Sequence, residues 1–213
     1  MTSKKIINKA DKVFQILRKE YPDVVTQLDH ENPFELLVAT ILSAQCTDAR
    51  VNIVTKDLFK KYIIPKDYIS VPVEELEKDI FSLGFYRQKS KSIRNMCVEL
   101  IENHCGEVPA DFDKLTKLSG VGRKTASVVA ANAFNIPAIA VDTHVKRLSN
   151  LIGLTVNKNP EKIEADLKEL LPKEEWKDSS HWLIMHGRNI CIARRPKCAE
   201  CKITKYCDYF NSK

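Results

Sequence analysis

At 213 residues, with 44% hydrophobic and 29% charged residues, the chain has the composition of an ordinary soluble globular protein. It can bury roughly 70% of its unfolded surface in one large domain or two small ones. No stretch approaches the ~20 apolar residues of a membrane span, which excludes a membrane-spanning class, while the net charge of +6 favours polyanionic partners without specifying one.

The periodicity is helical nearly throughout. The start, Met1 to Leu17, mixes Lys4, Lys5, Lys9 and Lys12 with apolar residues and lacks the apolar core and cleavage site of a signal peptide, so it reads as a helix of the mature protein. A second helix begins at Pro33, with Asn32 as its cap and proline at the first helical position. Val51, Val54, Leu58 and Phe59 keep amphipathic spacing. Further helices are expected over 74–81, 88–104, 113–118, 123–134, 143–151, 160–171 and 179–191. The β-branched runs are too short and irregular to demand a sheet, and the predicted fold class is all-α.

Without a signal peptide a disulfide framework is not expected. Cys46, Cys97 and Cys105 then read as packing thiols. Cys191, Cys198, Cys201 and Cys207 form a C-x6-C-x2-C-x5-C run, and four thiolates on one short loop can close a coordination sphere. Zinc suits the single C-x2-C pair; the wider x6 and x5 spacings suit an iron–sulfur cubane. Arg194, Arg195 and Lys197 make the same loop basic.

The segment Leu118-Ser119-Gly120-Val121-Gly122-Arg123-Lys124-Thr125-Ala126 places two glycines between the end of one helix and the start of another. Glycines there let backbone N–H groups gather at a helix N-terminus, where an anion is favoured. The string resembles the helix–hairpin–helix element that DNA-repair proteins use to hold a phosphate. Ser119 stands where proline is usual, which implies some loss of rigidity. Further on, Asp142 precedes Thr143-His144 and reads as a helix cap, a role compatible with facing a cleft. His144, His181 and His186 read as structural, since residues five apart on a helix make a poor ligand pair.

Five segments together carry a resemblance to the endonuclease III family. They are Leu42-Ser43-Ala44-Gln45-Cys46-Thr47-Asp48, the 118–126 hairpin, Val141-Asp142-Thr143-His144, His181 to Arg188, and the cysteine tail. The resemblance implies two lobes: residues 26–136 as a six-helix barrel ending in the hairpin, and residues 1–25 with 137–213 as an iron–sulfur lobe, with a DNA cleft between. It implies Lys124 as the catalytic amine and Asp142 as its carboxylate partner, facing each other across that cleft. It implies that Gln45 and Phe85 enter the duplex around the lesion, Phe85 standing where leucine is more usual. Gly120, Val121, Gly122 and Arg123, with Arg194, Arg195 and Lys197, would contact DNA, and the four tail cysteines would hold a [4Fe–4S] cluster.

The implied partner is double-stranded DNA with damaged pyrimidines or abasic sites, acted on by a cytoplasmic, nucleoid-associated monomer. The implied reaction extrudes the nucleotide and lets the Lys124 amine displace the base. Lysine is almost wholly protonated at neutral pH, and burial beside Arg123 and the hairpin would disfavour the ammonium. An adenine-mismatch glycosylase would lack the lysine and carry a glutamate before Gln45; residues 36–44 contain no carboxylate. A non-catalytic DNA-binding module would need neither Lys124 nor Asp142.

Overall fold

The computed structural model describes residues 4–212; Met1–Ser3, the beginning of the expected first helix, and Lys213 lie outside them. Twelve α-helices and no strand occur among the described residues. In chain order they begin α1 (Lys4–Glu20), α2 (Pro33–Leu42), α3 (Asp48–Lys61), α4 (Pro65–Ser70), α5 (Val73–Ile80) and α6 (Tyr86–His104). They continue α7 (Phe112–Lys117), α8 (Arg123–Ala133), α9 (Thr143–Ile152), α10 (Pro160–Leu170), α11 (Trp176–Asn189) and α12 (Asp208–Asn211). Side-chain caps set several of these starts. Asn32, Thr47, Asp111, Asp142 and Asn159 each accept a backbone N–H from the first turn that follows, supplying a partner that the helix itself cannot.

Internal contacts divide the chain into two compact units. One is Thr26–Ile136; the other joins the chain through Val25 to the segment from Pro137 onward. In the first, α2 is buried on every side, from Phe34 and then Leu36 through Leu42, as a helix at the centre of a bundle must be. It packs on α3, α6 and α8. Tyr62 and Tyr68 are buried beside it, their ring centroids 4.9 Å apart.

In the second unit, α1 turns Ala10, Val13, Phe14 and Leu17 inward, the i, i+3, i+4, i+7 face of an amphipathic helix. That face packs on α10 and α11, where Trp182 is buried and donates its indole N–H to Tyr21 O at 3.1 Å. Gly187 lets α11 lie against α9: a Cβ there would stand 2.7 Å from His144 Nδ1. The unit is tied at its ends by Lys9, whose ammonium donates to Ile152 O at 3.2 Å and pairs with Asp208 at 2.6 Å.

Candidate active site and cysteine cavity

The turn between α7 and α8 hangs on two buried apolar residues. Leu118 and Val121 sit in the core, and Val121 N–H donates to Leu118 O at 3.0 Å. Gly120 has φ +76°, and a Cβ there would stand 2.7 Å from Ser92 Cβ on α6, so backbone and neighbour both demand glycine. Gly122 differs. Its φ is −81° and a Cβ would meet nothing within 4 Å, so no contact within the protein requires glycine there. Gly122 offers α8 no side-chain cap, and the first helical bond runs from Ala126 N–H to Gly122 O at 2.9 Å. No side chain caps this helix start, the place where a helix favours an anion.

Serine at 119 does not slacken this turn as the sequence suggests. Ser119 N–H donates to Glu99 Oε2 at 2.7 Å and its hydroxyl donates to Glu99 Oε1 at 2.6 Å. Proline, lacking an N–H, could not make the first bond. A half-buried carboxylate on α6 therefore holds the hairpin by two charge-assisted bonds. Glu99→Ala is expected to lower the unfolding free energy by about 1–3 kcal/mol, read as a shift of the urea midpoint; an unchanged midpoint would show that the clasp supports nothing.

Lys124 lies in the first turn of α8 and is exposed, as is Arg123, whose guanidinium sits 5.1 Å over the Phe112 ring. The expected burial of Lys124 beside Arg123 is not met. The inward face of α8 begins later, at Ala126 and Ser127, and continues through Val129 to Ala131.

Asp142 is the half-buried N-cap of α9, accepting Val145 N–H on Oδ1 at 2.8 Å. Its other oxygen has no donor among the described residues. The extended approach to it is pinned by Ser180, whose buried Oγ accepts Ala140 N–H at 3.0 Å. The His181 ring is near enough to feel the Asp142 charge; burial pushes its pKa down, and Asp178 and Asp142 oppose that. Lys124 and Asp142 belong to different units.

Gln45, between α2 and α3, and Phe85, before α6, are both exposed loop residues of the Thr26–Ile136 unit. Both hold left-handed backbone, φ +55° and +48°, which is uncommon away from glycine. Phe81, also exposed, stacks on Tyr86 with centroids 4.8 Å apart and widens the aromatic surface around Phe85.

The four tail cysteines are each half-buried and line one cavity, partly open to solvent. Its other walls are largely apolar, including Leu148, Leu151, Ile190 and Ile203. Polar groups also meet the sulfurs: Arg147 Nη1 donates to Cys191 Sγ at 3.6 Å, and His186, which lines the cavity, has Nε2 3.5 Å from Cys201 Sγ. Burial pushes the Cys191 and Cys201 thiols up, with Arg147 opposing it at Cys191. An all-thiol donor set in an apolar pocket, with a guanidinium at one sulfur, fits a thiolate-held centre. Among the described residues no three His, Cys, Asp or Glu side chains are placed to hold a metal ion; the fit lies in the donor chemistry and the shared cavity. Of the remaining cysteines, Cys97 is buried and Cys46 packs on the core. Cys105, expected as a packing thiol, is exposed instead, taking the left-handed position that ends α6.

Residues 38–173 match the model of the HhH-GPD superfamily, base excision DNA repair proteins. Endonuclease III of Bacillus subtilis (strain 168) is 52% identical over 188 residues, 88% of this chain and 86% of that protein. The chain belongs to the endonuclease III family. It is accordingly a base-excision repair enzyme, a DNA glycosylase and abasic-site lyase. A non-covalent endonuclease III–DNA complex matches it with a TM-score of 0.94 at 47% identity, over 100% of this chain and 98% of that one. A trapped endonuclease III–DNA covalent intermediate matches with a TM-score of 0.92 at 48% identity, over the same shares.

Some residues that shape the site carry no motif. Arg147 stands in no motif, yet its guanidinium meets a sulfur 44 residues on. Glu99 clasps a turn 20 residues away. His186, expected as a packing residue, is buried and also stands against Cys201.

Proposed function

We propose that this enzyme acts on duplex DNA carrying oxidised pyrimidines of the thymine-glycol type, or abasic sites, with Lys124 as nucleophile. The observation that carries the proposal is Lys124 in the first turn of α8, directly after the Gly120–Gly122 turn and at a helix start that no side chain caps. A phosphate held there would bring the neighbouring sugar to the lysine. Gly122, free of neighbours, allows the strand to approach the backbone, and Gly120, Val121 and Arg123 complete the grip. Lys124 is exposed in the protein alone, open to an incoming strand.

Gln45 and Phe85 fill the space left by the extruded nucleotide. Lys124 Nζ attacks C1′ as the bond from C1′ to the base breaks, and the base leaves with a proton. The sugar ring then opens to a Schiff base. Loss of a C2′ proton breaks the C3′–O bond, cutting the strand 3′ to the lesion, and water releases the lysine. The unpartnered oxygen of Asp142 accepts the amine's proton or stabilises the oxocarbenium charge; its capping oxygen keeps the carboxylate oriented. The measurement that tests this reading is nicking of thymine-glycol and abasic duplexes. Base release without strand cleavage would favour the monofunctional alternative, and binding without either would leave a DNA-binding module.

The cysteine cavity is assigned to a [4Fe–4S] cluster held by Cys191, Cys198, Cys201 and Cys207. When bound, that group would cross-link the loop carrying Arg194, Arg195 and Lys197, all exposed, so that these cations meet phosphates in a fixed register. Anaerobically purified protein is expected to contain iron and acid-labile sulfide in equal amounts. Cys198→Ser is expected to lose them along with much of its DNA affinity. Colourless protein containing zinc instead of iron would overturn the assignment. The enzyme is taken to work as a monomer in the cytoplasm, held at the nucleoid by DNA. The net charge of +6 supports a polyanionic partner, and none of the described helices is long and apolar enough to cross a membrane.

A further inference from the structure

Lys89 is a buried lysine that the reaction does not use. It lies near the start of α6 and is 4% exposed. Its ammonium donates to Leu83 O at 3.0 Å, while its backbone N–H donates to Phe85 O, also at 3.0 Å. One residue thus holds both ends of the Leu83-Gly84-Phe85 turn. That turn needs holding. Gly84 has φ +69° and Phe85 φ +48°, and the Phe85 side chain is 64% exposed, so no burial of its ring fixes the conformation. Left-handed backbone away from glycine persists only where surrounding structure enforces it. Lys89 also lies near Cys46, which adjoins Gln45, another residue with left-handed backbone. A buried ammonium with one acceptor among the described residues is costly, and packing alone would be better served by methionine.

We propose that Lys89 is a positioning residue: it preforms the Leu83–Phe85 turn so that Phe85 meets DNA already in its wedging conformation. This rests on the reading of Phe85 as a wedge. Without the Lys89 ammonium, α6 and the core stay in place while the turn becomes free to relax, and the wedge must then be ordered at the moment of nucleotide extrusion.

The test is Lys89→Met, nearly isosteric and apolar, alongside Phe85→Ala and the double variant. Single-turnover base release from a thymine-glycol duplex is expected to fall about 10–100-fold in Lys89→Met. Borohydride trapping on a single-stranded abasic oligonucleotide, where no stack must be wedged, is expected to stay within about twofold. In the Phe85→Ala background Lys89→Met is expected to add less than about twofold, as residues acting through one another should. Equal losses on duplex and single strand, or losses that multiply in the double variant, would overturn the proposal. Phe85→Ala defective with Lys89→Met normal would overturn it alone; Phe85→Ala normal would remove the wedge reading and the proposal with it. If Lys89→Met does not fold, Gly84→Ala probes the same turn, since its Cβ meets no atom within 4 Å yet its φ is unfavourable. The same duplex-selective loss is expected there, and normal duplex activity would overturn the proposal.

Discussion

Replacing Lys124 with alanine is expected to abolish borohydride trapping on abasic DNA and to lower base release by at least about 10³-fold. The loss should be chemical. Lys124 is exposed and its side chain supports no buried contact, while the face that holds α8 in place runs through Ala126, Val129 and Ala130. The hairpin keeps its shape through Leu118, Val121 and the Glu99–Ser119 clasp. The thermal midpoint should therefore be unchanged and binding to an abasic duplex largely kept. Undiminished trapping in this variant would remove Lys124 from the mechanism.

Asp142→Asn separates the two duties of that side chain. Asparagine caps helices about as well as aspartate, so Val145 N–H keeps its acceptor and stability should change by no more than a few tenths of a kcal/mol. The negative charge is lost from the other oxygen, which has no protein donor among the described residues. Base release is expected to fall about 10²–10⁴-fold, with DNA binding preserved. Near-normal turnover would reduce Asp142 to a helix cap. Asp142→Ala should lose both duties and cost a further ~1 kcal/mol of stability.

Much of the helical framework is legible in the sequence, because caps and periodicity are local. Asn32 before Pro33 and the spacing from Val51 to Phe59 lead directly to α2 and α3. Helix α4 is not legible by periodicity: its six residues, Pro65–Ser70, are too few to show a repeat. Its signal is instead Pro65 at the first position, with Asp67 reaching back to the N–H groups of Ile63 and Ile64 at 2.8 and 2.9 Å.

At the site, the glycines, the lysine, the aspartate and the cysteines stand in short strings that a reader can find. Their supports do not. The Glu99 clasp, the Arg147 contact with Cys191 and the Lys89 hold on Leu83 join residues through the fold, and no pattern along the chain announces them. The left-handed backbone of Gln45 and Phe85 is equally hidden, since neither residue type advertises it. The exposure of Lys124 is a further case. The positive charge beside it is readable from Arg123, but which side of α8 turns inward depends on what packs there.

On the proposed mechanism Lys124 forms the covalent link to the damaged sugar. This is tested most directly by reducing the wild-type enzyme with borohydride on an abasic duplex, digesting the conjugate and locating the modified residue by mass spectrometry. A sugar–phosphate remnant is expected on Lys124 and on no other lysine. A remnant on another lysine or on the N-terminal amine, with Lys124 unmodified, would contradict it.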